Sequence, residues 1–393
     1  MKKLMILGAS YSQLPLYEAA RQLGAATVAA STPGDWPGFD VADESVYADI
    51  TDPEAILAAA QEKGIDGIAT CCLDAGVRAL GYTCEKMGLI GPSARAADIS
   101  NDKFKMKEAF MAGGVQRHIC IHSLEELEEA LEKLEFPVVL KAVDLMGSRG
   151  IFRCNTREET FFYYNKTMEA TRKDYCLVEE FIEGQVLGCE AMIRDGRLLY
   201  CLPNNIEAFQ SYVPTPIGHS VPYRKQEELG AEVRHQVELA IKAVGLDNCP
   251  VNCDLIEKDG KIYVIEITGR AGGTCLPEMV SIYYGINYYE AIVRLALGMD
   301  VEEMFRGKTA GVANLSRTLL SEKDGVVKAI HNENEPAEDI VNLSFNITPG
   351  EEVHHYTNGR DRLGQVILRG ESLESCEKRL QEILSKINIE FIS

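Results

Sequence analysis

Asn252-Cys-Asp254-Leu-Ile-Glu-Lys-Asp259-Gly260-Lys-Ile-Tyr-Val264-Ile-Glu266-Ile-Thr268-Gly-Arg270-Ala-Gly272-Gly273 reads as two apolar strands around a tight turn, ending in a glycine-rich stop. Glu266 lies inside an apolar run, where an acid without a partner is costly. Two acids on neighbouring strands suit Mg²⁺, which takes oxygen ligands and shares its shell with nucleotide phosphates. Arg270 follows the second acid, where it can clamp a carboxylate or an acyl phosphate. Gly272 and Gly273 allow backbone N–H groups to approach an anion closely.

Strand parity sharpens this reading. Side chains alternate between faces, so Val264, Glu266 and Thr268 share one face in a regular strand. A two-residue turn at Asp259-Gly260 pairs Lys258 with Lys261, sets Cys253 against Glu266 and sends Asp254 to the other side. A three-residue loop, Lys258 to Gly260, instead places Asp254 opposite Val264 and diagonal to Glu266. Shared metal ligation requires the second arrangement, which is therefore the one expected.

Upstream lies Phe136-Pro-Val-Val-Leu-Lys141, a buried strand ending in a cation. Gly147-Ser148-Arg149-Gly150 follows, a loop able to fold its N–H groups over anionic oxygens. Each piece alone is an ordinary strand end or turn; together they favour a phosphate. The chain has no GxxxxGK[ST], so it is no P-loop NTPase. Leu177-Val-Glu179-Glu180-Phe181-Ile182-Glu-Gly184 could hold a purine in a hinge, although by itself it reads as an acid-edged strand entering a turn. His219, between Pro214 and Pro222, is expected in a loop, with a structural role and a substrate role evenly weighed.

Residues 1–98 alternate strand and helix: Leu4–Leu7, Pro15–Leu23, Thr27–Ala30, Pro53–Lys63, Gly67–Cys71 and Ala75–Met87. That order implies a parallel sheet. Residues 99–300 mix helices with hairpins, beginning with a helix to Met111 capped by Ser100 or Asn101. Residues 301–393 carry a helix at Ser372–Leu384 and a last strand at Ile387–Ile392, with no constellation of their own beyond the pair Asp361-Arg362. The expected fold class is thus α/β followed by α+β.

Composition narrows the function. The net charge of −20 over 393 residues argues against a nucleic-acid or anionic-membrane partner. No apolar run reaches the roughly 18 residues of a membrane span. Twelve cysteines with no evident secretion signal imply a reducing, cytoplasmic setting.

These residues resemble the ATP-grasp superfamily, and within it the carboxylate–amine ligases such as L-amino-acid ligases. The resemblance covers most of the chain. Ile6-Leu-Gly-Ala-Ser10 with Gln13-Leu-Pro is similar to the opening of the Rossmann-like pre-ATP-grasp domain, and Asp102-Lys103 with Met106-Lys107 to the start of the ATP-grasp domain. The resemblance implies three units: the pre-ATP-grasp domain (1–98), the ATP-grasp domain (99–300) and a small C-terminal lobe (301–393). It implies nucleotide binding by Lys103, Lys141, the 147–150 loop and the hinge Glu179 to Ile182. Metal ligation falls to Asp254, Glu266 and Thr268, with Mg²⁺ or Mn²⁺ as the ion. Substrate binding falls to His219, Arg270, Gly272 and Gly273, with Arg270 and Lys141 catalytic. Three positions depart from the family pattern: Val186 replaces an acid that holds the ribose, Thr268 an asparagine, and Asp254 a glutamate. The implied activity is coupling of a small carboxylate to an amine through an acyl phosphate, with ADP and phosphate released; a homodimer is compatible. The competing readings are a bicarbonate-using carboxylase, a non-catalytic nucleotide sensor and, from Gly8-Ala-Ser alone, an NAD oxidoreductase.

Overall fold

The computed structural model describes residues 1–111, 118–145, 150–209, 215–308, 311–357 and 361–392. Strands Lys3–Leu7, Ala26–Ser31, Glu44–Tyr47 and Gly67–Ala69 form a parallel sheet, with Lys3–Leu7 between Ala26–Ser31 and Gly67–Ala69. Leu4, Met5, Ile6 and Leu7 are all buried, as expected of a strand covered on both faces. Helices Leu14–Gln22, Pro37–Val41 and Pro53–Lys63 make the crossovers, and Val77–Met87 follows the last strand. Asp52 caps the third, accepting from the N–H groups of Glu54 and Ala55, with Pro53 at the first helical position.

The helix Lys103–Met111 is capped by neither Ser100 nor Asn101. Asp102 accepts from the N–H groups of Phe104 and Lys105 at 3.0 and 3.2 Å, whereas Asn101 closes the preceding helix Ala94–Ser100. A small antiparallel sheet follows, in the order His118–Ile121, Cys176–Glu180, Val138–Lys141, Ile151–Cys154.

The centre is an eight-stranded sheet. Its order is Lys261–Thr268, Cys249–Lys258, Gln185–Arg194, Arg197–Phe209, Thr215–Val221, Ala313–Leu320, Arg362–Gly370, Ile340–Phe345. Residues beyond 301 thus continue the sheet begun by residues 185–268. Thr215–Val221 makes the join, pairing with Arg197–Phe209 on one side and Ala313–Leu320 on the other. His219 therefore sits in a central strand and not in a loop. Pro216 is tolerated because pairing with Ala313–Leu320 begins only at Gly218. Helix Gln226–Val244 packs on one face of this sheet, over Cys189, Val251, Cys253, Leu255 and Val264.

The hairpin departs from the expected loop. Lys258 pairs with Lys261 across a two-residue turn, with Asp259 and Gly260 both at positive φ, 52° and 76°. The register then shifts: Leu255 pairs with Val264, but Asp254 pairs with Glu266. Ile265 is the extra residue of a β-bulge. It sends Val264 to the buried face with Leu255 and returns Glu266 to the face of Asp254. The acids share a face through the bulge, not through the turn.

Candidate active site

Asp254 and Glu266 lie directly across from each other in the hairpin. Like charges so placed repel. Asp254 is solvent-exposed, yet enclosure by the surrounding protein, reinforced by Glu266, pushes its carboxyl up to about 6. Lys103, at the start of its capped helix, reaches Glu266 at 3.3 Å and the Leu145 carbonyl at 2.9 Å. Among the described residues no third His, Cys, Asp or Glu completes a cage with these acids. A facing pair of carboxylates with open positions fits a hard divalent cation that takes its remaining oxygens from phosphates and water.

Arg270 is held from three sides. Its Nε and Nη2 meet Asp74 at 2.7 and 2.6 Å, and Nη1 donates to the Asn252 amide oxygen at 3.2 Å and the Ala271 carbonyl at 3.1 Å. Thr268 points its hydroxyl at the same Asp74 oxygen, 3.3 Å away. Asp74 arrives from the N-terminal sheet, whose next residues touch the same loop: Cys72 N–H donates to the Ala271 carbonyl at 3.0 Å. Asn252 also donates to Glu190 at 2.7 Å, and the Gly272 N–H donates to both Glu190 oxygens at 3.2 and 3.1 Å. Glu190 is fully buried, and burial pushes its carboxyl up to about 8 despite these donors. A Cβ on Gly272 would lie 2.6 Å from Glu190 and 2.5 Å from Leu276, so a larger residue there would displace these side chains. A Cβ on Gly273 would meet nothing within 4 Å.

Lys141 and Lys107 converge on Glu179, at 2.9 and 3.4 Å from one carboxylate oxygen. Burial pushes Glu179 up, but the two ammonium groups outweigh it and hold it at about 2. Burial lowers Lys107 to about 8 against the pull of Glu179. Glu180 accepts from the Glu135 N–H, and the Phe181 N–H donates to the Pro137 carbonyl, which pins the hinge segment to the strand bearing Lys141. Ile182 follows directly. Gly150 accepts from the Ala142 N–H at 2.9 Å, which brings the end of the glycine loop beside Lys141. Gly147, Ser148 and Arg149 lie outside the described residues.

Sheet register extends the site. Pairing Thr268 and Glu266 with Asn252 and Asp254 places them on the face of Glu190 and Gly188, and next of Asn204. His219 shares that face, its Nδ1 2.9 Å from the Asn204 amide oxygen, and pairs with Ser316. Thr318 and Gln365 continue the row. One polar row therefore crosses from the acidic hairpin into the C-terminal strands. Burial, then Arg362, lowers His219 to about 4, so it is neutral at ordinary pH.

Asp74, Glu190 and Arg362 were not among the expected site residues. Glu190 carries a signal that could have found it, an acid within the apolar run Leu187 to Met192. Asp74 carries none, because its significance lies in meeting a residue 196 positions away.

Residues 100–274 match the ATP-grasp domain, and residues 317–391 the L-amino acid ligase C-terminal domain 2. An alanine–anticapsin ligase from Bacillus subtilis is 25% identical over 276 residues, 63% of this chain and 58% of that protein. The carbamoyl phosphate synthase large chain of Clostridium beijerinckii is 23% identical over 78% of this chain, which spans 30% of it. The L-amino acid ligase from Bacillus licheniformis has the same fold, with a TM-score of 0.86 over 100% of this chain and 99% of that one at 20% identity. A phosphoribosylglycinamide synthetase from Anaerococcus prevotii is 39% identical, with a TM-score of 0.86 and all of both chains covered. With the acidic hairpin, the lysine-bearing small sheet and the full-length match agreeing, the chain belongs to the ATP-grasp family.

Proposed function

We propose that the protein is an ADP-forming ligase that joins a small carboxylate to an amine. The observation that carries this reading is the direct opposition of Asp254 and Glu266, with Lys103 on Glu266 and Arg270 just past that acid in the chain. Mg²⁺ or Mn²⁺ held by these acids would offset phosphate charge during phosphoryl transfer. Lys103 and Lys141 bind the ATP phosphates, and the 179–182 hinge holds the base. The substrate carboxylate attacks the γ-phosphate, and Arg270, exchanging Asp74 for the new anion, stabilises the acyl phosphate. Thr268 positions Asp74 for that exchange, His219 and Asn204 line the substrate side with neutral polar groups, and Gly273 supplies a backbone N–H. The amine displaces phosphate. The relatives named as ligases and a synthetase support the reaction class. The segments 1–98, 99–300 and 301–393 act as nucleotide-flanking, catalytic and substrate-side units. Twelve free thiols suit a reducing cytoplasm, and among the described residues no helix is long and apolar enough to cross a membrane.

The test is phosphorus NMR of turnover with pairs of amino acids and other carboxylates. ADP and phosphate that require both a carboxylate and an amine are expected. AMP with pyrophosphate would overturn the acyl-phosphate route, and ADP release driven by bicarbonate alone would identify a carboxylase.

A further inference from the structure

Helix Lys103–Met111 faces two ways. Its buried side carries Lys103, Met106 and Lys107 toward the active site. Lys103 reaches Glu266 at 3.3 Å, the Met106 sulfur accepts from the Ile267 N–H at 3.4 Å, and Lys107 lies 3.4 Å from Glu179. Its other side forms one wall of a cavity of about 750 Å³ that opens to solvent. Helices Ala94–Ser100 and Gln226–Val244 make the remaining walls, and Val264 closes the bottom. The bulge at Ile265 turns Val264 to the face opposite Glu266, so the cavity and the acidic hairpin lie on the two sides of one sheet. Small-molecule sites range from about 300 to 1,000 Å³, which includes this one.

The walls are apolar and the rim is basic. Ala109, Leu239 and Ala243 line the interior beside Val264. Leu239 is 44% exposed, a large apolar side chain left wet in a helix that buries Val237, Ile241 and Val244. Arg95, Lys105 and Lys242 stand round the cavity with a single acid, Glu108. That reverses the balance of a chain with 60 acidic and 40 basic residues. Two of these four are engaged: Lys105 by Asp98, and Glu108, whose Oε1 lies 3.0 Å from His118 Nε2. Arg95 and Lys242 have no carboxylate partner among the described residues. Apolar walls with two uncommitted cations are complementary to an apolar body bearing one negative charge.

We propose that this cavity is a second binding site, for an apolar monocarboxylate, and that its occupant strengthens ATP binding through helix Lys103–Met111. The carboxylate pairs with Arg95 or Lys242, and the alkyl body lies against Leu239 and Ala109 toward Val264. The wall it packs on is tied to the nucleotide side at several points. Besides Lys103 and Lys107, Phe104 meets the rings of His118 and Tyr175 edge-on at 6.0 and 5.7 Å, and His118 pairs with Glu179 in the small sheet. A body wedged between this helix and Gln226–Val244 restrains the helix in the position that presents both lysines to the phosphates. Each ligand then raises the affinity of the other by the same factor. This holds whichever acid and amine the enzyme joins.

The experiment is isothermal titration calorimetry of the full chain with octanoate, octanamide and octylammonium, with and without Mg²⁺ and a non-hydrolysable ATP analogue. Octanoate should bind at least about tenfold more tightly than octanamide, the scale of one charge-assisted contact, and octylammonium should not bind. Butanoate should bind more weakly than octanoate by about fourfold for each buried methylene it lacks. Saturating octanoate should lower the Kd of the ATP analogue by about fivefold or more, and the analogue should lower that of octanoate equally. Leu239→Glu, and Arg95→Gln combined with Lys242→Gln, should abolish octanoate binding and leave the analogue's own Kd unchanged. Octanamide binding as tightly as octanoate would overturn the proposal without any variant. Octanoate bound equally well by Leu239→Glu would place its site elsewhere and overturn it too. Tight octanoate binding with no change in the analogue's Kd would overturn the coupling. A dimer in analytical ultracentrifugation that Leu239→Glu dissociates would overturn the small-molecule site, because a second copy would then cover the cavity.

Discussion

Glu179 is buried between two lysines, and that position fixes how it behaves. Its carboxyl is held at about 2, below its ordinary 4.5, so its contribution to stability is complete above pH about 4.5 and is lost as pH falls toward 2. Glu179→Gln would leave Lys107 and Lys141 facing each other without a counter-charge, which costs about 3–5 kcal/mol. Denaturant unfolding at pH 7 should show that loss, and the gap to the wild type should close as the pH is lowered from 4.5 toward 2; a gap that stayed constant would show that the carboxylate is not the cause. Lys141→Ala and Arg270→Ala should separate kinetically. Lys141 faces phosphate already charged in the ground state, so its loss should raise the KM for ATP. Arg270 meets charge that develops later, so its loss should lower kcat by roughly 3 kcal/mol, about a hundredfold. If Arg270→Ala changed only KM, its role would be ground-state binding. At this scale much was legible in the sequence. Glu266, an acid in an apolar run, and Arg270, just past it, declare themselves locally. Asp74 does not, because it gains meaning only through contact with a distant residue, and the pair Asp361-Arg362 is visible in the sequence without its contact to Thr274.

The hairpin shows where reading by element succeeds and fails. Asp259-Gly260 is the sequence of a two-residue turn with both residues left-handed, and the structure follows it. Alternation alone then puts the acids on opposite faces. Ile265 corrects this by bulging, which nothing in Val264-Ile-Glu266 announces, since Val264 and Ile265 are both apolar and β-branched. The choice is made by packing: Val264 and Leu255 both join the core beneath helix Gln226–Val244. Removing Ile265 should therefore regularise the ladder and leave Glu266 opposite Asp254, so the deletion variant should keep much of its turnover and its Mg²⁺-dependent ATP binding. A deletion variant that lost both would show that the bulge itself, and not only the pairing of the acids, shapes the site. The six elements read in residues 1–98 agree with the structure to within two residues, because the period switches between 2 and 3.6 there, whereas the short strand Glu44–Tyr47 and the helices Pro37–Val41 and Ala94–Ser100 were not read.

For the whole molecule, the sheet order matters most. Three C-terminal strands extend the sheet that carries the acidic hairpin, a join the sequence conceals because Thr215–Val221 and Ala313–Leu320 are 98 residues apart at their starts. A chain ending at Gly298 would expose Thr215–Val221 as a bare edge and uncover helix Leu276–Tyr284, which packs on Ala313–Leu320. Such a truncation should be insoluble or aggregated by size-exclusion chromatography, and inactive; a soluble, active fragment would show that the C-terminal strands are dispensable. The same shared sheet also bears on inheritance. Because the polar row depends on register across eight strands, a single inserted or deleted residue in any of them rotates every later side chain to the wrong face unless a second bulge compensates. Descendants of this molecule can change what they accept by exchanging side chains at fixed places, such as 204, 219 or 362. Length changes are confined to the connecting loops, so its diversification should read as substitutions on a rigid grid rather than as remodelled architecture.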